Sequence, residues 1–581
     1  TGMAFLFSVF NTFYPEFWLQ RGITPHVYYE AAVVIITFIL FGRMLEEKAT
    51  SSTSQALKKL MGLQPSEVTV VREGKEISVS IREVVQGDII RVKPGEKIAV
   101  DGVLTEGSSF VDESMVTGES KPARKEEGDQ VFSGTVNQKG SFLFRAEKVG
   151  EETLLSQIIE TVKEAQGSKA PVQKLVDKIA GIFVPAVMVL ALITFVVWFS
   201  VGGDEAFAYA VLHSISVLVI ACPCALGLAT PTAIMVGVGK GAEHQILIRD
   251  AEALEFGNKV DTIILDKTGT ITEGKPRVSD IEWSEESQNE EEIPWILALE
   301  QQSEHPLATA ILELFKEFQE KHTLPEIHNF ESLTGKGVKA ESGSGEVFVI
   351  GNQQLMQDYD VGLSDKVMHK IRKWQEEAKT VIFAARNRKL VTIMGIRDQV
   401  KSGSGEAIEA LKKEGMTILM LTGDQPETAE VIASELGIQE VGAALLPSEK
   451  AERVRALKEE GHLVAMVGDG INDSEALAES HLSIAMGHGS DIAMDVAGIT
   501  LVNSNLNRIP KALRLSHQTV SGIRQNLFWA FIYNLIGIPI AAGVLYPLNG
   551  FLLDPMIAGA AMAFSSVSVV MNSLRLKVKE L

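Results

Sequence analysis

Five nearly uncharged apolar stretches, 27–45, 180–201, 206–231, 527–548 and 555–574, each approach the roughly 20 residues that a membrane-spanning helix needs. A chain with this pattern does not fold around one soluble core. Its spans have no water to satisfy their backbone, so they must be helices packed on one another. A sixth apolar stretch, 2–18, is short and is interrupted by Asn11 and Pro15. It follows Thr1 with neither an initiator methionine nor a signal-peptide layout, so the sequence is expected to begin inside a helix. Two polar inserts, of about 135 residues (46–179) and about 295 residues (232–526), separate the spans and are large enough for several domains. The net charge of −21 falls mostly in these inserts and argues against a nucleic-acid partner, whose phosphates require a basic face. The only cysteines, Cys222 and Cys224, both lie in one span, so no disulfide framework is expected.

The first insert opens with a helical pattern over 46–61 and then alternates apolar and polar residues, as in Val68-Thr69-Val70 and Ile77-Ser78-Val79. Short strands with glycine-containing turns to about residue 149 predict a small, mostly β domain. The second insert repeats strand-like apolar runs with polar tips at 262–266, 417–424, 463–469 and 482–485, separated by helical patterns at 402–413, 427–436 and 449–459. That alternation predicts a parallel sheet with helices on both faces, whose functional groups cluster at the carboxyl ends of the strands. Asp266, Thr422, Asp424 and Asp469 fall there. The segment 274–398 is too long for the first crossover and is expected to form a separate inserted domain, with a hairpin turn at 341–346.

Asp266-Lys267-Thr268-Gly269-Thr270 directly follows the apolar run Ile263-Ile264-Leu265. A carboxylate at a strand tip, followed by a turn with exposed N–H groups, can attack a phosphoryl group and hold its oxygens. Phosphoryl transfer also needs charge neutralisation and Mg²⁺. Gly468-Asp469-Gly470-Ile471-Asn472-Asp473 offers Asp469 as a metal ligand with Asp473 behind it, Thr422-Gly423-Asp424 can hydrogen-bond phosphoryl oxygens, and Lys450 supplies a cation. Any one of these reads alone as a solvated loop; their order together does not. Gly237-Val238-Gly239-Lys240-Gly241 has the look of a phosphate loop, but Lys240 lacks a following Ser or Thr and no buried strand precedes it, so it is assigned to the end of a membrane helix.

With these motifs in place the chain resembles a P-type ATPase over essentially its whole length. The resemblance implies a multidomain membrane protein: an α-helical transmembrane bundle, a small β actuator domain, an α/β HAD-like phosphorylation domain and an inserted α+β nucleotide-binding domain. The boundaries it implies are membrane helices at 1–60 (the first partial), 166–244 and 511–581, the actuator domain at 61–165, the phosphorylation domain at 245–274 and 396–510, and the nucleotide-binding domain at 275–395. It implies Asp266 as the phosphorylated nucleophile, Lys450 and Thr422 as phosphate ligands, and Asp469, Asp266, the Thr268 carbonyl and Asp473 around Mg²⁺. Thr117-Gly118-Glu119 resembles the actuator loop, with Glu119 orienting the water that hydrolyses the aspartyl-phosphate. In the inserted domain, glycines allow close backbone approach and a histidine can stack on adenine. The combination of Glu304, His305, Gly335, Gly337, Gly351 and Asn352 resembles the ATP pocket of the heavy-metal branch.

The ion must be chosen by groups inside the membrane. Cys222-Pro223-Cys224 lies within a span, where Pro223 removes a helical hydrogen bond and bends the chain. Thiolates suit Cu⁺ and Zn²⁺, and a thioether such as Met562 favours Cu⁺. The last two spans add the polar groups Tyr533, Asn534, Ser565 and Ser566 and contain no Asp, Glu, Lys or Arg. A divalent cargo would call for a carboxylate, so the balance favours a soft monovalent ion. Cys-Pro-Cys, Tyr533-Asn534 before Pro539, and Met562 with Ser565-Ser566 resemble the marks of the copper-exporting branch. That resemblance implies Glu46 and Asp177 on the cytoplasmic way in and Glu30 on the way out. It also implies a bacterial inner-membrane location with both inserts in the cytoplasm, and a cytoplasmic copper chaperone as donor. The branch's two additional leading helices and soluble metal-binding domain are not found, so the sequence is expected to be a piece of a longer protein. Export of Ag⁺, Zn²⁺ or Cd²⁺ is the alternative within this class; a non-transporting membrane phosphatase or metal sensor is the alternative outside it.

Overall fold

A computed structural model describes the chain apart from residue 1, residues 20–26, most of 28–66, and residues 114–121, 168–169, 202, 204–205, 222–224, 285–288, 304, 334, 378, 425, 470–472, 488–496 and 554. The described residues form two compact units, one of 1–259, 498–503 and 511–581, the other of 260–497 and 504–510.

In the first unit, residues 67–148 build two antiparallel sheets, one of six strands and one of three, around a core that includes Val70, Ile90, Leu104, Phe142 and Phe144. The alternation seen in the sequence places these residues on the inner faces. Asp101 is buried beside this core and accepts from the backbone N–H groups of Ser133 and Leu154, each at 2.7 Å, so that it caps the helix Leu154–Gly167 from a neighbouring strand.

The membrane elements of the same unit are the helices Pro171–Val201, Ala206–Ile220, Leu226–Glu243, Arg508–Ala541 and Pro555–Arg575. The 31-residue helix Pro171–Val201 turns Ile182, Met188, Leu192, Val196 and Phe199 outward, the arrangement expected of a face in contact with lipid rather than water. Its other face packs Val187 and Ala191 against Val217, Ile220, Ile538 and Ala558. The span expected at 206–231 is two helices, because the first stops at Ile220 and the second starts at Leu226, on either side of the proline-centred segment. The span expected at 527–548 ends early, at Ala541. Pro539 withdraws one N–H, and Gly543, at φ +90°, lets the turn press against the Trp198 ring before a short helix, Tyr546–Asn549. At its other end the helix begins at Arg508, and its 34 residues, about 51 Å, exceed the hydrocarbon thickness. The leading stretch is also two helices, Gly2–Phe13 and Pro15–Leu19, broken at the proline and not at Asn11. Most of the expected span 27–45 lies outside the described residues.

Asn526 ties three membrane helices together. Its amide donates to the Ala229 carbonyl (2.9 Å) and Ser573 Oγ (2.8 Å), and it accepts from Asn572 Nδ2 (2.9 Å). Lys240, in the glycine-rich segment that imitates a phosphate loop, is buried at a helix end and donates to the carbonyls of Leu576 (3.0 Å) and Lys579. The glycines beside it are packing positions: a Cβ on Gly237 would overlap Thr519, and one on Gly241 would press on the Ile246 carbonyl and Leu515.

In the second unit five parallel strands lie in the order Leu482–Met486, Val464–Gly468, Thr262–Asp266, Thr417–Leu421, Glu440–Gly442. The chain builds outward from Thr262–Asp266 to one side and then returns to build on the other. The carboxyl ends of Thr262–Asp266 and Val464–Gly468 therefore flank the point where strand order reverses, the crevice where such sheets hold ligands. The first crossover contains a six-stranded antiparallel sheet, which joins the parallel sheet without a loop boundary. Its strands Thr272–Trp283 and Lys389–Val400 run as one antiparallel ribbon, with Thr272 paired to Val400.

Gly337 and Gly351 face one another across two strands of that sheet, where a Cβ on either would overlap the other strand's backbone. Gly351→Ala is therefore expected to destabilise the inserted domain by about 2 kcal/mol or more. Gly345→Ala, at φ +84° in the open hairpin turn, is expected to cost about 1 kcal/mol. Unfolding midpoints of the two variants check the difference.

Candidate functional site

Asp266 ends the central strand with its side chain inside the crevice and is 4 % exposed. Lys450 enters from the helix Pro447–Glu459, and its ammonium lies 2.5 Å from Asp266 Oδ1 and 2.8 Å from Asp473 Oδ1. All three side chains are buried, so the pairing operates with little screening by water. Burial and then the charge of Asp473 push the Asp266 carboxyl up to about 7, against the pull of Lys450, with Asp469 adding to the rise. The same two carboxylates hold the Lys450 ammonium above its ordinary range despite its burial.

The turn after Asp266 has the backbone its sequence demands. Thr268 is extended, and Gly269 sits at φ +72° with Asp469 Oδ2 where a Cβ would stand. The glycine is thus required both by conformation and by the approach of the next carboxylate. Lys267 is ion-paired with Asp424, and Thr422, buried at the tip of the neighbouring strand, accepts the Asp424 N–H at 3.1 Å. Gly423 is exposed beside it.

Two groups that the motifs do not reveal also face this turn. Lys401 donates to the Gly269 carbonyl, and burial lowers its pKa to about 8 while Asp469, Asp398 and Glu273 oppose the shift. Asp398 accepts from Thr272 Oγ1 at 2.6 Å. Both lie more than 120 residues from Asp266 and return beside it only through the ribbon that closes the inserted domain. Their only sequence signal is a polar run after a strand.

Asp266, Asp469, Asp473, Asp398 and Asp424 outnumber the ammonium groups of Lys450, Lys267 and Lys401 around the crevice, an excess of negative charge that suits a divalent cation. Among the described residues no three acidic, imidazole or thiol groups converge as a preformed cage. Mg²⁺ is ordinarily held by one or two carboxylates together with substrate phosphate, and Asp266, Asp469 and the Thr268 carbonyl fit that pattern. Asp473 does not: it is 1 % exposed and turned to Lys450, so the structure makes it the ammonium's anchor rather than a metal ligand.

In the inserted domain His305 caps the helix Pro306–Leu314, with Nδ1 accepting the Leu307 N–H at 3.2 Å, which leaves the proton on an outward Nε2. Gly335, at φ +71° with open space around it, shapes a loop held by Asn352, whose Nδ2 donates to the Gly335 carbonyl at 2.9 Å while its Oδ1 caps the helix Gln353–Asp358. Asn352 is thus committed to the loop's shape. Gly337 and Gly351 are accounted for by strand packing, not by room for a ligand. Five residues before His305, Glu300 is buried and its carboxyl is pushed up to about 7 by desolvation, a group the sequence reading passed over because it ends an ordinary helical pattern.

Within the membrane bundle Asn534, Met562, Ser565 and Ser566 are buried and Tyr533 is half-buried, whereas their neighbours Leu535, Ile536 and Phe564 are exposed. The polar groups therefore face inward, and the Asn534 amide nitrogen has no hydrogen-bond partner among the described residues. Asp177 and Glu30 are exposed. Glu46, Thr117, Gly118, Glu119, Cys222, Cys224 and Glu304 lie outside the described residues.

The P-type ATPase actuator domain family matches residues 62–163, and the haloacid dehalogenase-like hydrolases match residues 260–481. The chain is 48% identical over 578 residues to a probable copper-transporting ATPase, PacS, of Synechococcus elongatus, covering 99% of this chain and 77% of that protein. It is 47% identical over 582 residues to a copper-exporting P-type ATPase of Legionella pneumophila, covering 99% and 78%. Among solved structures it is similar to a zinc-transporting PIB-type ATPase in the E2.Pi state, with TM-score 0.62 and 30% identity over 94% of this chain and 87% of that one.

The raised carboxyl of Asp266 carries a stability signature. A native pKa of about 7 against an ordinary 3.8 means that the native state holds this proton more tightly. The corresponding stability is complete below pH 4 and is lost as pH rises through 7. In metal-free buffer, Asp266→Asn is expected to gain about 2 kcal/mol relative to the parent between pH 5 and pH 8. Thermal unfolding at the two pH values measures it, and an equal effect at both would contradict the raised pKa.

Proposed function

The chain belongs to the heavy-metal branch of the P-type ATPases, and we propose on that footing that it exports Cu⁺ across a membrane at the expense of ATP, through an aspartyl-phosphate formed on Asp266. The observation that carries the chemistry is the buried carboxylate of Asp266 at the strand-order reversal, held by Lys450, which is itself anchored by Asp473. The ionised Asp266 oxygen attacks the terminal phosphorus of ATP, an acyl-phosphate bond forms, and the bond to ADP breaks. Lys450 offsets charge on the transferring group, and the Thr422 hydroxyl, which already accepts the Asp424 N–H, has its proton free to donate to a phosphoryl oxygen. Lys267 holds Asp424, and with it the Thr422-Gly423 tip, against the nucleophile's strand. Asp266, Asp469 and the Thr268 carbonyl would hold Mg²⁺, which would supply the remaining positive charge. His305 and Glu304 are assigned to the nucleotide, beside the loop that Gly335 and Asn352 shape, with the Nε2 of His305 as the donor toward adenine, while Gly337 and Gly351 hold the strands beneath it. Glu119, carried by Thr117-Gly118, positions the water that hydrolyses the acyl phosphate.

Cys222, Cys224 and Met562 supply soft sulfur ligands, with Tyr533, Asn534 and Ser566 around them. The inward placement of Asn534, Met562 and Ser566 and the lack of a carboxylate in the last two spans support a soft monovalent cargo. Glu46 and Asp177 are assigned to the cytoplasmic side and Glu30 to the outward side. The protein is an integral membrane protein. Its soluble domains are assigned to the cytoplasm, where ATP is, its membrane to the bacterial inner membrane, and its donor to a cytoplasmic copper chaperone.

Asp266→Asn is expected to abolish acid-stable phosphorylation by ATP, and Glu119→Ala to let the phosphoenzyme accumulate by about tenfold or more. Unchanged dephosphorylation of Glu119→Ala would remove that residue from its role. Phosphorylation measured across Cu⁺, Ag⁺, Zn²⁺ and Co²⁺ tests the cargo. Stimulation by Cu⁺ and Ag⁺ is expected, and stimulation by Zn²⁺ alone would overturn the copper assignment.

A further inference from the structure

His213 lies inside the membrane helix Ala206–Ile220, and the transport chemistry above does not use it; the other histidine on a described membrane helix, His517, bonds Asn258. It is fully buried, and neither ring nitrogen has a hydrogen-bond partner among the described residues. Buried polar side chains in folded proteins are satisfied by protein, water or a bound ion, and an ionisable group facing the interior of a membrane bundle marks an ion pathway more often than a packing position. The Ala541 carbonyl faces this ring.

Its position in the fold is informative. The helix Pro171–Val201 arrives from the first soluble insert and the helix Leu226–Glu243 leads into the second, so the end of Pro171–Val201 and the start of Ala206–Ile220 belong to the opposite face of the membrane. His213 is in the half of Ala206–Ile220 nearer that face, nine residues before Cys222 in the sequence. A second feature meets it there. The helix Arg508–Ala541 terminates beside the ring, and the last carbonyls of a helix carry the negative end of its dipole. The adjoining Ala542 carbonyl is taken by Trp198 Nε1 at 2.9 Å. The Trp198 ring covers the imidazole with centroids 4.7 Å apart, and Tyr209 stacks near it at 6.1 Å.

We propose that His213, with the Ala541 carbonyl and the Trp198 ring, forms a transient Cu⁺ site on the outward side of the cysteine pair, through which the ion leaves. An unpartnered imidazole nitrogen suits Cu⁺, a helix C-terminus favours a cation, and an indole face attracts one. Among the described residues the site has no carboxylate or thiolate, so these groups hold a monovalent ion weakly, as a release step requires. The proposal rests on the copper reading above.

The test uses the full protein in proteoliposomes, with His213→Leu and His213→Met beside the parent. Three quantities are read: the Cu⁺ concentration for half-maximal phosphorylation by ATP, the steady-state phosphoenzyme, and Cu⁺ delivered to the lumen. His213→Leu is expected to leave the first within about twofold and to slow delivery by about tenfold with phosphoenzyme accumulating, because only the step after loading is affected. His213→Met, which keeps a soft ligand of similar bulk, is expected to restore delivery to within about twofold. Delivery by His213→Leu at the parent rate overturns the proposal. So does a Met variant as slow as the Leu variant, which would show that only packing was lost. A parent protein whose phosphorylation by ATP is not stimulated by Cu⁺ overturns the copper reading, and the outward site with it.

Discussion

The ammonium of Lys450, buried between the carboxylates of Asp266 and Asp473, is the contact on which the soluble machinery depends. Each partner comes from a different crossover of the parallel sheet, so one ion cluster holds the carboxyl ends of the strands in register. The arrangement also sets the chemistry. A carboxylate buried beside other carboxylates resists ionisation, as the rise of Asp266 to about 7 reflects, while the ammonium keeps it close enough to ionisation to serve as a nucleophile. Removing Lys450 would leave two like charges without compensation, whereas an arriving cation relieves the same excess. The crevice is therefore poised for a ligand that brings positive charge with its phosphates.

In the membrane unit the governing constraint is that helices can stop only where something else satisfies the backbone. Proline and glycine decide where they stop, at Ile220 and at Ala541, and each stop lies beside candidate ion chemistry. Between them, Asn526 bonds the Ala229 carbonyl and Ser573 and so locks three helices about two turns below the residues assigned to the ion.

Some site residues were legible in the sequence because their signal is local. Asp266 sits at the end of an apolar run, and a five-residue turn with glycine in the fourth position encodes its own backbone. Asp469 and Thr422 were legible for the same reason. Lys401, Asp398 and Glu300 were not: nothing in their neighbours marks them, and they matter only because a long insertion folds back. The glycines of the inserted domain show the converse, since Gly337 and Gly351 look like ligand positions in sequence and are closed by each other's strand. Asp473 was placed with the metal by its proximity to Asp469, and the structure gives it to Lys450.

The sequence by itself determined which stretches are apolar, the alternation that makes a parallel sheet, and the order of the phosphoryl-transfer motifs, because each is written within a few turns or strands of chain; where the apolar helices stop was decided by the structure. Which strand tip faces which was decided only by the tertiary structure, since register between crossovers depends on packing that no local pattern encodes. The same holds for the direction of side chains inside the bundle. A histidine among apolar residues reads as one more polar interruption, and only the packed helices show that His213 meets the end of another helix.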